Sequence, residues 1–198
     1  SLAMEARGYR TDVSRAVKKR EKLCAADFAA LAPLTYPERA AKILAPYLPD
    51  FSAEELLADA RAAYTAEKFG AHPAPVTDLA PGMSMLELFH GPTCAFKDMA
   101  LQLMPRLFVR ALAECGETRQ ALILVATSGD TGKAALEGFS DLAGVKISVF
   151  YPEDGISRLQ KLQMQTQRGE NVDVHGIRGN FDDAQSAVKR VFASPDVR

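Results

Sequence analysis

Up to about residue 80 the apolar positions of the chain recur at helical spacing, and beyond it they gather into short runs separated by amphipathic stretches. Ala25 to Leu31 and Pro37 to Leu48 read as helices, the second launched by Thr35, Tyr36 and Pro37. Ser52 followed by Glu55 is a capping-box pattern, which starts a helix running to about Phe69. Pro73 and Pro75 break the period, and Pro81-Gly82 signals a turn. These features predict a mainly helical region over residues 1–82 and a second unit over residues 83–198. In the second unit, Met83 to Phe89 is a short apolar run and Lys97 to Cys115 a long amphipathic helix containing Pro105. Ala121 to Thr127 has the length and branching of a buried strand. Thr131 to Leu142 (helix), Val145 to Tyr151 (strand), Ser157 to Gln167 (helix), Val172 to Ile177 (strand) and Phe181 to Ala193 (helix) follow. Strands alternating with helices in this way predict right-handed βαβ crossovers, a mostly parallel sheet and the α/β fold class. Met83, Met85, Met99 and Met104 are expected to fill core.

Composition narrows the function classes. The 198 residues amount to about 1.3 ordinary domains. With 24 basic and 25 acidic side chains, the net charge is −1, so no overall electrostatic footprint for nucleic acid exists. The apolar run Ala121 to Ala126 falls far short of the roughly 18 residues that a membrane helix needs. The basic cluster Arg15, Lys18, Lys19, Arg20 and Lys22 reads as a solvated helix face or tether. Cys24, Cys94 and Cys115 are odd in number and lack ligand or pairing spacing. A reducing, cytoplasmic setting without structural zinc or disulfides is expected, in keeping with the absence of a signal-peptide pattern.

Two segments carry candidate chemistry. In parallel sheets, ligands collect on loops between the carboxyl ends of strands and the following helices. Ala126 to Lys133 (ATSGDTGK) is such a loop. Its glycines allow a tight turn, its free N–H groups stand at the positive end of a helix dipole, and Thr127, Ser128 and Thr131 add hydroxyls. That combination suits a carboxylate or phosphate. Ala134 follows Lys133 where a P-loop needs Ser or Thr, and Gly129 and Gly132 alone do not complete a dinucleotide fingerprint. A plain N-cap formed by Ser128 or Asp130 remains the bland alternative.

The second segment is Glu87 to Met99 (ELFHGPTCAFKDM), in which Lys97 falls at the start of a helix. A cation is disfavoured there. A lysine so placed beside Phe96 should keep more of its amine neutral, the form that Schiff-base or general-base chemistry needs. The alternative is a surface lysine whose charge Asp98 offsets. His90 reads as a loop hydrogen-bonder and Cys94 as a small packed residue, while His72 and His175 have no metal-ligand company.

Together, Glu87 to Asp98 and Ala126 to Gly132 (ATSGDTG) resemble the threonine synthase family, pyridoxal-phosphate enzymes of the tryptophan-synthase-β type (fold type II). Further likeness lies in Thr35 to Ala40, Tyr151 to Ser157, Lys161 to Met164 and Gly179 to Asp183. The resemblance implies pyridoxal 5′-phosphate as cofactor and Lys97 as the lysine that binds it as a Schiff base and shuttles protons. By the same likeness, Ser128 and its neighbours Thr127 and Gly129 match the loop for the substrate α-carboxylate. Asp130 falls beside the cofactor's phenolic oxygen and Thr131 beside the leaving phosphate. The implied reaction converts O-phosphohomoserine and water into threonine and phosphate, in a protein that is a monomer or homodimer. The family's Gly-Gly-Leu-Tyr-like stretch is absent from Tyr9 to Val17, and its cofactor-phosphate loop is expected beyond Arg198. The chain is thus expected to be an N-terminal portion, inactive alone. A related phospholyase, a hydroxyamino-acid dehydratase and a non-catalytic anion-binding module are the alternatives.

Overall fold

The computed structural model describes residues 25–195. The basic cluster at residues 15–22, the stretch Tyr9 to Val17 and Cys24 lie outside the described residues. Four helices come first: α1 (Ala25–Leu31), α2 (Tyr36–Leu44), α3 (Ala53–Ala63) and α4 (Ala66–Phe69). The capping box is in place at α3, where Ser52 Oγ accepts from the Glu55 N–H at 3.2 Å and Glu55 accepts from the Ser52 N–H at 2.9 Å. The helix expected to run on to Phe69 instead stops at Ala63. Tyr64 leaves helical geometry there, its ring wedged between Tyr36 and Phe69, and Thr65 caps a new short helix.

Next come β1 (Val76–Ala80) and β2 (Met83–Leu86), an antiparallel hairpin whose turn is Pro81-Gly82. Strand β1 is absent from the sequence reading because both faces of this hairpin are exposed and show no alternation of burial. For the same reason Met83 and Met85 are not core residues, and Met104 is likewise 42% exposed. Met99 alone of the four packs inward, against the Tyr64 cluster.

The expected Lys97 to Cys115 helix is two helices, α5 (Asp98–Leu101) and α6 (Met104–Glu114). Pro105 sits in the first turn of α6 and has no N–H to return to Leu101, so the ladder breaks there. The freed Leu101 carbonyl rests against Gly138, where a Cβ would stand only 1.8 Å from its oxygen. Glycine at 138 is therefore what lets the two segments approach so closely.

The remaining elements are β3 (Ala121–Ala126), α7 (Asp130–Phe139), β4 (Val145–Pro152), α8 (Arg158–Gln165), β5 (Val172–Ile177) and α9 (Phe181–Ala193). They build a parallel sheet in the order β3-β4-β5, with Ile123 opposite Ile147 and Val149 opposite Val174. Alternate residues of central β4 (Val145, Ile147, Val149, Tyr151) are buried with Leu136 and Phe139 of α7 and Met164 of α8. Strand β3, expected to be buried, lies at an edge of this sheet, and its Leu122 is 44% exposed. A second apolar cluster (Ala60, Ala63, Tyr64, Phe69, Leu103) joins the helical region to the segment that follows Lys97. Tyr64 donates its hydroxyl to the Met99 carbonyl at 2.6 Å, and Arg110 of α6 grips Asp59 of α3 at 2.7 and 3.1 Å. The N-terminal helices thus buttress the turn that carries Lys97.

Candidate active site

The anion loop is built from Thr127 outward. Its hydroxyl is buried at the end of β3 and accepts hydrogen bonds from the N–H groups of Gly129 (3.0 Å) and Gly132 (2.9 Å). Thr127 therefore organises the loop and is not a donor on its rim, which corrects one expectation from the sequence. Two of the loop's N–H groups are already satisfied. Those of Ser128, Asp130 and Thr131 have no partner among the described residues and stand at the start of the ten-residue α7. Ser128 and Thr131 are exposed beside them, so their hydroxyls and these N–H groups form the rim that faces an anion.

Gly129 has φ of +143°, a backbone region closed to other residues. It also lies under Gln160 of α8, close enough that a Cβ would meet the Gln160 amide at 2.5 Å. Gln160 donates to Asp130 Oδ1 at 2.8 Å while its own oxygen accepts from Ser157 at 3.0 and 3.2 Å. Asp130 is thereby half-buried and tied to the neighbouring helix.

Lys97 precedes α5, a four-residue turn, so no long helix dipole acts on it. The charge argument drawn from a long helix is corrected accordingly. What the structure shows is an amine without a carboxylate. Lys97 is half-buried with Nζ 4.5 Å above the Phe96 ring, and no ion pair engages it among the described residues. Asp98, the neighbour expected to offset its charge, turns the other way. The Asp98 carboxylate is fully buried and accepts from the Thr93 N–H (2.8 Å) and hydroxyl (2.7 Å). An uncommitted primary amine fits the requirement for covalent capture of an aldehyde-bearing cofactor.

A residue the sequence reading passed over joins the two segments. Lys133 of α7 is 7% exposed, and its ammonium donates to the Thr93 carbonyl at 2.7 Å and to Gln163 Oε1 at 2.8 Å. Asp130 Oδ1 lies 3.7 Å away. Thr93 stands in the turn before Lys97, so this lysine draws the Lys97 turn, the anion loop and α8 into one assembly. Beside it opens a cleft of about 350 Å³, lined by Pro92, Thr93, Glu137, Gln163 and Arg168 among others. His90 bonds Glu87 at 2.6 Å, which with Thr77 holds the Glu87 carboxyl below its ordinary range. Cys94 and Cys115 are exposed free thiols.

Burial pushes the Asp98 carboxyl above the usual aspartate range, with the Thr93 hydrogen bonds and the Lys133 charge pulling the other way. An acid whose pKa is raised by folding binds more protons in the native state, so its contribution falls as pH rises from about 4 upward. Asp98→Asn should therefore remove this downward contribution. Urea midpoints of the variant measured between pH 4 and 7 should rise relative to those of the parent as pH increases. Parallel profiles would show that Asp98 does not titrate across folding.

Among the described residues, no helix is long and apolar enough to cross a membrane, and no cluster of His, Cys, Asp or Glu could hold a metal ion. No family model matches the chain. Threonine synthase from Pseudomonas aeruginosa is 48% identical over 120 residues, which is 61% of this chain and 25% of that protein. Human threonine synthase-like 1 is 38% identical over 186 residues, 90% of this chain and 25% of its own length. A PLP-bound threonine synthase from Brucella melitensis superimposes with a TM-score of 0.80 at 36% identity, over 90% of this chain and 38% of that one. The Escherichia coli threonine synthase structure gives a TM-score of 0.75 at 34% identity, over 91% and 40%. The chain thus spans about a quarter of these curated relatives and about two fifths of the solved chains. With the α/β fold and parallel sheet shared with these solved structures, the chain belongs to the threonine synthase family.

Proposed function

We propose that this chain contributes the cofactor lysine and the substrate-carboxylate loop of a pyridoxal-phosphate-dependent lyase acting in the cytoplasm. The reaction is conversion of O-phospho-L-homoserine and water into L-threonine and phosphate. The observation that carries the reading is the pairing of Lys97, an amine without a carboxylate partner among the described residues, with an anion rim on the adjoining helix. Lys97 would hold the cofactor through its Nζ. The N–H groups of Ser128, Asp130 and Thr131, unpaired among the described residues, with the hydroxyls of Ser128 and Thr131, would bind the substrate carboxylate and orient it. Thr127 and Gly129 keep those donors pointed outward. Asp130, restrained by Gln160, would stand beside the cofactor's phenolic oxygen. When bound, the cofactor supplies an electron sink for carbanionic character in the substrate. Lys97 Nζ would take protons from the substrate Cα and then Cβ as phosphate leaves Cγ, and return protons at Cγ and, after the hydroxyl of water adds at Cβ, at Cα, the remaining proton going to the departing phosphate.

Incubating the chain with pyridoxal phosphate, reducing with borohydride and mapping the modified peptide should place the label at Lys97. Label spread over exposed lysines with none at Lys97 would sink the proposal. A second reading, a phospholyase built on the same loops, would use the same amine and anion rim. The product formed from O-phosphohomoserine by the full-length protein separates the two, threonine supporting the first and a keto acid the second.

A further inference from the structure

We infer that Lys133 is the positioning residue that sets where Lys97 stands relative to the anion loop. The inference rests on the reading of Lys97 as the lysine that captures pyridoxal phosphate. Burying a cation is unfavourable unless its donors are met, and Lys133 is buried with acceptors drawn from two other segments. One acceptor is the backbone of the Lys97 turn itself. The Thr93 carbonyl receives the ammonium at 2.7 Å, and the same residue's N–H and hydroxyl hold Asp98, to which Lys97 is directly bonded in sequence. The other acceptor, Gln163, lies on α8, one turn beyond the Gln160 that covers Gly129 and restrains Asp130. Asp130 lies 3.7 Å from the same ammonium. A single ammonium thus pins the amine-bearing turn, the carboxylate loop and the helix that roofs it. A hydrophobic side chain of similar volume would fill the space of the lysine stem yet leave the Thr93 carbonyl and Gln163 without their donor. The turn and the loop would then shift independently, and small displacements of reacting groups carry large penalties.

The test compares the full chain with its Lys133→Met, Lys133→Arg and Gln163→Leu variants. Each is titrated with pyridoxal phosphate, reduced with borohydride, mapped by peptide mass and melted thermally. In Lys133→Met, the cofactor concentration that half-labels Lys97 should rise on the order of tenfold, with label moving to other lysines. Lys133→Arg keeps a cationic donor and should restore most of the selectivity. Gln163→Leu loosens the ammonium without removing it and should fall between them, which provides a readout if Lys133→Met does not fold. Folded Lys133→Met that labels Lys97 like the parent would overturn the inference alone. So would loss of label that follows melting temperature equally in the Met and Arg variants, since that marks a purely structural lysine. Absence of label at Lys97 in the unsubstituted chain would instead remove the functional reading, and this inference with it.

Discussion

Lys97→Ala should abolish covalent capture of pyridoxal phosphate while leaving the fold intact. The side chain is half-buried and its one packing partner of note is the Phe96 ring, a cation–π contact worth about 0.5–1 kcal/mol at such a site. Its loss should move the urea midpoint only slightly. The chemical loss should be much greater. No other primary amine of the described residues stands in the turn beside the anion rim, because Lys133 is buried with its protons committed to Thr93 and Gln163. In the full-length protein, threonine formation should fall on the order of 10²–10⁴-fold or more, the range for loss of a positioned acid–base group. Lys97→Arg sharpens the comparison, because it retains a cation for Phe96 but has no amine that condenses with an aldehyde. It should match the parent in stability and Lys97→Ala in chemistry. Reducible cofactor label in the Arg variant at parental yield would place the reacting lysine elsewhere.

The elements of the βαβ unit were readable because local pattern and tertiary role agree in them. Val172 to Ile177 and Phe181 to Ala193 coincide with their expected limits, and Ser52 caps its helix as the spacing required. Reading failed where the deciding partner is distant in sequence. The helix expected from Lys97 to Cys115 divides at Pro105 because the carbonyl it frees finds a place against Gly138 of another helix. Strand β1 went unrecognised because nothing among the described residues covers either face of its hairpin, so the chain needs no alternation there. Within the site, both loops were legible from composition, but the division of labour inside them was not. Thr127, Ser128 and Thr131 look equivalent in sequence, and only chain reversal at Gly129 turns the first inward as an acceptor. Lys133 was invisible for the same reason, because the acceptors that explain its burial lie 40 and 30 residues away along the chain.

Thr127→Val should be the most damaging change of a single atom group in the anion loop. The substitution keeps the shape of the side chain and its branching at Cβ, but it replaces the one acceptor shared by two buried N–H groups. Each unsatisfied buried donor costs about 1–3 kcal/mol, so the pair together should lower stability by about 2–6 kcal/mol. The new methyl would also stand where hydroxyl oxygen now receives Gly129 at 3.0 Å and Gly132 at 2.9 Å, closer than carbon tolerates beside an N–H. The loop must then open to relieve both defects, carrying Ser128 and Thr131 away from a common anion. Thr127→Ser provides the opposing case, since it keeps the acceptor and loses only a buried methyl, worth about 1 kcal/mol. Urea denaturation should therefore rank the parent first, Ser second and Val a clear last. With the full-length protein, KM for O-phosphohomoserine should rise far more in the Val than in the Ser variant, because the carboxylate meets donors that no longer converge. Equal losses of stability in Val and Ser would mean that packing of the threonine methyl, and not its hydroxyl, holds the loop in shape.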